Sequence, residues 1–353
     1  MQQSCTYGSV RGAPGNRLSY RDKSDKRGFS SAWSDRKARG FGAMKRIAST
    51  NAWKSVGLIA LALATVSTFV SAQQPAPQRT LAPGTDGRLN VIAFGAHPDD
   101  CDQRAGGTAI KLAKLGHRVR FVSVTNGDAG HQTEGGGALA ARRREEAREA
   151  GRRAGVEYIT LDNHDGELIP TLKPREDIIR QIRLWNADLV LAPRPNDYHP
   201  DHRYTGVLVQ DAAYMVVVPN ITPDTPALRK NPVFMYFQDN FQRPNAFRPD
   251  VAVAIDDVID TKIDMLDAHV SQMYEWLPWV GLELDKVPKD PAARKKWLRE
   301  TRAGQPDAAV RETLVKWYGA EKGKAVRYAE AFEICEYGTR PDDALIRKLF
   351  PFF

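Results

Sequence analysis

The stretch Asn90-Val-Ile-Ala-Phe-Gly-Ala-His-Pro-Asp-Asp100 decides how the rest of the chain is read. Residues 90–96 are a short apolar run, the pattern of a strand buried on both faces. The run turns polar at His97-Pro98-Asp99-Asp100. Residues 106–115 then predict a helix closed by Gly116. Residues 118–125, apolar and β-branched, predict a second strand that ends in the turn Asn126-Gly127-Asp128.

The alternation continues outward. Helices are expected over 138–154, 175–186 and 202–214, and strands over 158–161 and 188–192. Later strands are expected over 233–237 and 251–255, a long helix over 258–273, and a charged helical region over 291–328. Strands alternating with helices imply parallel pairing with helices packed over the sheet. The expected fold is therefore α/β: a Rossmann-like open, mostly parallel sheet with helices on both faces. No internal repeat is visible. In such a sheet ligands bind beyond the carboxyl ends of the strands.

The net charge of +8 suggests a nucleic-acid partner, but its distribution does not. Residues 1–72 hold 12 Lys/Arg against 3 Asp/Glu, and the remainder holds 39 against 40. The folded part is close to neutral, so nucleic-acid binding is not expected. The basic excess belongs to a leader. Met44-Lys45-Arg46 opens it, residues 56–70 are almost uninterruptedly apolar, and Val70-Ser71-Ala72 supplies small residues for cleavage. That order is a signal peptide over 44–72. At 15 residues the run falls short of the roughly 20 that span a bilayer, so no stable membrane span is expected after cleavage. Residues 1–43 read as a disordered or non-native extension, residues 73–88 as a linker, and 89–353 as the working domain, secreted or periplasmic. Cys101 and Cys335 would remain after cleavage, and an oxidising compartment would permit a disulfide between them. No Cys-x-x-Cys pair is present to form a thiolate zinc site.

Two polar clusters follow predicted strands: His97-Pro98-Asp99-Asp100, and His199-Pro200-Asp201-His202 after Pro193-Arg194-Pro195-Asn196-Asp197. A lone His-Pro-Asp is a common turn. Two of them at strand ends of one sheet place several imidazoles and carboxylates together, the ligand types of a catalytic zinc site. The candidates outnumber the three ligands such a site needs. The surplus suits a hydrolase, which also requires a base beside the attacking water and an acid or oxyanion donor opposite.

The first cluster, with Gly106-Gly107-Thr108 behind it, resembles the PIG-L (LmbE-like) deacetylase family. The second cluster is similar to that family's second motif, and Arg143-Arg144-Glu145-Glu146-Ala147 to its intervening helix. Weaker echoes are Leu266-Asp267-Ala268-His269 and Ala329-Glu330-Ala331-Phe332, so the resemblance spans roughly residues 89–340. It implies hydrolysis of an N-acetyl group on a glucosamine-containing molecule, with His97, Asp100 and His202 on one zinc ion. Asp99 would be the general base, His199 the cationic acid and oxyanion partner, and Asp201 the group that orients His199. Arg143 falls where the family contacts a sugar hydroxyl or phosphate. Asp128 and His131, after the second strand, are further candidates for substrate contact. His164 and His269 are expected to be structural, and Glu330 matches a family position but reads as a surface-helix residue. Where some members carry a tyrosine two residues before the second motif, this chain has Asp197, with Tyr198 displaced by one.

The expected activity is thus a zinc-dependent N-deacetylase acting on a small N-acetylated sugar or glycan. The alternatives are a zinc amidase for a non-sugar N-acyl compound and a metal-containing carbohydrate-binding protein without catalysis. A helical insertion near residues 282–320 carries no readable motif and is expected to shape the cleft.

Overall fold

The computed structural model describes residues 87–353. The extension, the signal peptide and nearly all of the linker lie outside the described residues. Seven strands form one sheet in the order β3-β2-β1-β4-β5-β7-β6. They are β1 Asn90–Gly95, β2 Arg118–Thr125, β3 Glu157–Asn163, β4 Leu189–Ala192, β5 Val233–Phe237, β6 Val251–Ala254 and β7 Ala329–Gly338. The pairs β1·β2, β1·β4, β2·β3 and β4·β5 are parallel, while β7 runs antiparallel to both neighbours. The Rossmann-like, mostly parallel expectation holds.

The helices are α1 Asp100–Lys114, α2 Gly136–Ala154, α3 Leu172–Trp185, α4 Pro200–Met215, α5 Ile259–Asp267, α6 Leu277–Val280, α7 Pro291–Arg302, α8 Ala308–Tyr318, α9 Ala320–Ala325 and α10 Asp343–Leu349. Strand β1 sorts them into two layers. Val91 and Ala93 join Ile110 of α1 and Ile263 of α5 on one face, while Ile92 and Phe94 join Ile178 of α3 and Leu208 of α4 on the other. Every β1 residue is buried, which is why the run after Asn90 carries no polar side chain. Cys101 and Cys335 are free and buried in opposite layers, so no disulfide joins them.

The expected long helix over 258–273 is broken. Helix α5 ends at Asp267, and a π-helical turn, Ser271–Trp276, leads into α6. The break has a polar cause. His269 is fully buried with Nε2 3.0 Å from Asp102 Oδ1, and the Ser271 amide donates to Glu146 at 3.0 Å instead of continuing the ladder. The charged helical region over 291–328 is made of three helices, and the chain then enters β7, which periodicity did not indicate.

Glu330 corrects a second expectation: it lies on β7, buried, rather than on a surface helix. Its carboxylate accepts from the amides of Gly107 and Thr108 and from Lys262 Nζ at 2.7 Å, and Lys262 also donates to the Gln103 carbonyl. This buried ion pair joins the last strand to the middle of α1. Removing one partner of such a pair leaves an uncompensated charge. Lys262→Met should therefore cost about 3–5 kcal/mol in a denaturant titration. Lys262→Met combined with Glu330→Gln should recover part of that loss, and full additivity of the two losses would show that the pair acts otherwise.

Candidate metal centre

Strand β1 pairs with β2 on one side and with β4 on the other, so chain order reverses between β1 and β4. That switch point opens a crevice beyond the strand ends. The first cluster leaves β1 into α1, and the second follows the exit of β4 into α4, so both arrive at the same crevice. Pro200 occupies the first turn of α4, where its missing N–H costs nothing. His199 is the N-cap of that helix, and its Nδ1 accepts from the Asp201 amide at 3.2 Å.

Three donor atoms converge. His97 Nδ1 lies 3.2 Å from His202 Nε2 and 3.6 Å from Asp100 Oδ2, and His202 Nε2 lies 3.5 Å from the same oxygen. The far nitrogen of each ring meets a carboxylate: His97 Nε2 is 3.0 Å from Asp165 Oδ1 and 3.4 Å from Asp201 Oδ2, and His202 Nδ1 is 3.0 Å from Asp197 Oδ1. Those bonds place the ring protons on the far nitrogens and turn two lone pairs and an anionic oxygen toward one another. The arrangement is repulsive unless a positive charge sits among them. A proton can supply it: burial alone would lower the His97 imidazole, but Asp100, Asp165 and Asp201 outweigh burial and hold it well above its usual range. A divalent cation would supply it better, and the nitrogen and oxygen donors are those zinc takes. The residues present fit that ion.

Asp99 has φ +136°, a left-handed conformation that is strained for an aspartate. Its amide donates to Tyr158 Oη at 3.1 Å, and its carboxylate accepts from Gln103 at 2.9 Å and Arg143 at 3.2 Å. Burial pushes its carboxyl up to about 6 against the pull of Arg143. His199 is half-buried, and burial together with His97 and His202 lowers its imidazole below the ordinary value. One nitrogen of His199 comes within 4.8 Å of nitrogens on His97 and His202.

Several expected positions are occupied differently. The Asp201 carboxylate does not hydrogen-bond His199. It faces His97 and accepts from the amides of Gly166 and Leu168, so it influences His199 through its charge and its backbone amide. Arg143 is no surface contact for a sugar, because it is only 2% exposed. It donates to Gly127 O, Pro98 O and Asp99, and its Nη1 lies 3.5 Å from Asp165. A Cβ at Gly127, where φ is +73°, would lie 2.5 Å from Arg143 Nη1, so glycine there makes room for the guanidinium. Asp128 holds His164 Nδ1 at 2.6 Å and the Asp165 amide at 3.0 Å, fixing the loop that carries Asp165. His131 caps its own turn through the Glu134 amide and meets Glu275 at 2.8 Å. With Glu134 it forms a second possible ligand group, but Arg142 already pairs with both glutamates.

Asp165 and Asp197 do more at the site than the sequence reading assigned them. Asp165 follows β3 just as His97 follows β1, and the strand-end rule could have found it. Arg143→Lys should destabilise the fold, since one ammonium cannot satisfy two carbonyls and two carboxylates from a single atom. A loss of about 3 kcal/mol is expected by denaturation, with kcat lowered at least as much as KM is raised. A pure KM effect in a fully stable variant would restore Arg143 as a substrate contact.

Comparison with known proteins agrees with this geometry. Residues 92–213 match the family model described as PIG-L, GlcNAc-PI de-N-acetylase, a stretch that includes both histidine clusters. The diacetylchitobiose deacetylase of Thermococcus kodakarensis is 34% identical over 203 residues, 54% of this chain and 73% of that protein. The solved N,N'-diacetylchitobiose deacetylase of Pyrococcus horikoshii, complexed with its inhibitor MPG, superposes with TM-score 0.53 at 28% identity, covering 72% of this chain and 88% of that one. GalB, the 4-carboxy-2-hydroxymuconate hydratase of Pseudomonas putida, is 19% identical with TM-score 0.53, covering 72% of this chain and 99% of that one, and shares the fold alone. By its two histidine clusters, its sheet order and these matches, the chain belongs to the PIG-L (LmbE-like) family.

Proposed function

We propose that this protein is an exported, zinc-dependent hydrolase that removes the acetyl group from an N-acetylated amino sugar or a small glycan bearing one. The observation that carries the reading is the convergence of His97 Nδ1, Asp100 Oδ2 and His202 Nε2, each histidine oriented by a carboxylate on its far side. The names of the two archaeal relatives support the acetylated-sugar substrate class.

His97, Asp100 and His202 would hold the ion. Zinc bound there supplies a Lewis acid for the acyl oxygen and brings the pKa of a water to about 7. Asp99, with its carboxyl pushed up to about 6, takes the proton of the attacking water on a carboxylate oxygen. Arg143 and Gln103 keep that carboxylate in place. His199 delivers a proton to the leaving nitrogen from Nε2, because its Nδ1 is committed to the Asp201 amide. Burial, His97 and His202 disfavour the doubly protonated ring, and the negative charge of Asp201 opposes them. The carbon–nitrogen bond breaks, and acetate and the free amine are the products.

Purified His97→Ala, Asp100→Ala and His202→Ala should each lose zinc by metal analysis. Asp99→Asn and His199→Ala should keep it while turnover of N-acetylated sugars falls roughly 10²–10⁴-fold, the usual range for an acid–base residue. Loss of zinc from His199→Ala would make that histidine a ligand and move the acid elsewhere. Loss of zinc from Asp99→Asn would remove the base assignment. Export rests on the basic, apolar and small-residue order of residues 44–72. An extracytoplasmic product beginning near Gln73 is the expected result, and deletion of residues 58–66 should retain the protein inside.

A further inference from the structure

We propose that the cavity bordered by Asp100 and His202 is the acyl pocket, and that Arg104 holds the acyl oxygen of the substrate and the carboxylate of the departing acetate. The inference rests on the deacetylase reading and names the part of the substrate this cavity takes.

The cavity has a volume of about 30 Å³, and its lining includes Gly95, Asp100, Arg104, Asp197, His202 and Phe237. A buried water needs roughly 10–15 Å³ on the same measure, so there is room for about two or three water-sized groups. That matches an acetyl group. The lining has two characters. Gly95 and Phe237 form an apolar wall for a methyl group, while Asp100 and His202 bring two of the three convergent donor atoms to the same space.

Arg104 stands four residues after Asp100 on α1, so the two side chains lie one turn apart on the same helix face. Its one hydrogen bond runs from Nη1 to the Gln238 carbonyl at 3.1 Å. Among the described residues no carboxylate pairs with it. The other charged groups of the lining are committed. Arg194 binds both oxygens of Asp239 and two backbone carbonyls, and Asp197 accepts from the His199 amide and meets His202 Nδ1. A guanidinium carries five N–H donors in a fork matched to a carboxylate, so most of the Arg104 donors remain for a ligand. Arg143, the arginine that the family resemblance implied, is buried and spent on Asp99 and the backbone. Charge gathers on the acyl oxygen as water adds to the carbonyl carbon, and it stays on that group when the amine leaves and acetate forms. A donor fork on this side of the carbon meets both species.

The test uses the zinc-loaded protein and Arg104→Ala. Arg104 is exposed, so the substitution leaves the core intact, and the unfolding temperature and zinc content serve as controls. Calorimetric titration with sodium acetate should show binding weakened at least about 10-fold in Arg104→Ala, the loss of one charge-assisted pair. Arg104→Lys should recover part of it. A series of N-formyl, N-acetyl, N-propionyl and N-butyryl glucosamine should be hydrolysed by the parent with a sharp fall beyond acetyl. Equal acetate affinity in the parent and Arg104→Ala, or butyryl turnover equal to acetyl, would overturn the proposal. A parent that hydrolyses none of the series would refute the deacetylase reading, and the acetate titration would still decide whether Arg104 binds a carboxylate.

Discussion

The His97 ring is held from both sides, and much of the site depends on that. Its Nε2 lies between Asp165 and Asp201, which leaves Nδ1 as an acceptor facing Asp100 and His202. The two carboxylates come from different places: Asp165 from the loop after β3, and Asp201 from the first turn of α4. Each is anchored in turn, Asp165 by its amide on Asp128 and Asp201 by the amides of Gly166 and Leu168. Three strand ends are therefore tied together through one imidazole. A change in any of them reaches the donor atoms through that ring.

The fold was largely legible, for identifiable reasons. β1 is buried on both faces and therefore continuous in its apolarity, and α2 is closed by Gly155 in a left-handed conformation that glycine adopts freely. What escaped was set by distant partners. Nothing local in residues 258–273 announces that His269 will turn inward to Asp102, 167 residues away, and break the helix. β7 was illegible because Glu330 interrupts its apolar pattern, and the carboxylate meets its ion-pair partner only after folding. At the site, the clusters after β1 and β4 were readable from residue type and place in the alternation. Asp165 has only His164 beside it and no His-Pro-Asp cluster, so its place just after β3 was the one signal that could have marked it.

Arg143 shows how a motif position can keep its residue for a reason other than contact with a ligand. A charged helix face with an arginine at the family's position invites a sugar-binding role. Here the guanidinium reaches under the first cluster and neutralises the Asp99 and Asp165 side of the crevice. The fold gives no better guidance to chemistry, since it superposes on a hydratase as well as on deacetylases. The function has to be argued from the donor atoms and their partners.

The Lys262–Glu330 pair bears on the order in which the chain can be completed. Glu330 satisfies amides of Gly107 and Thr108, more than two hundred residues earlier. β7 also lies between β5 and β6, so the sheet stays open in its interior until the C-terminal segment arrives. A nascent chain carrying everything up to β6 would still have an unpaired gap in the sheet and an unmatched lysine beside α1. Contacts this distant in sequence are slow to form. The domain thus reaches its native state only once β7 has been made and can enter the gap between β5 and β6.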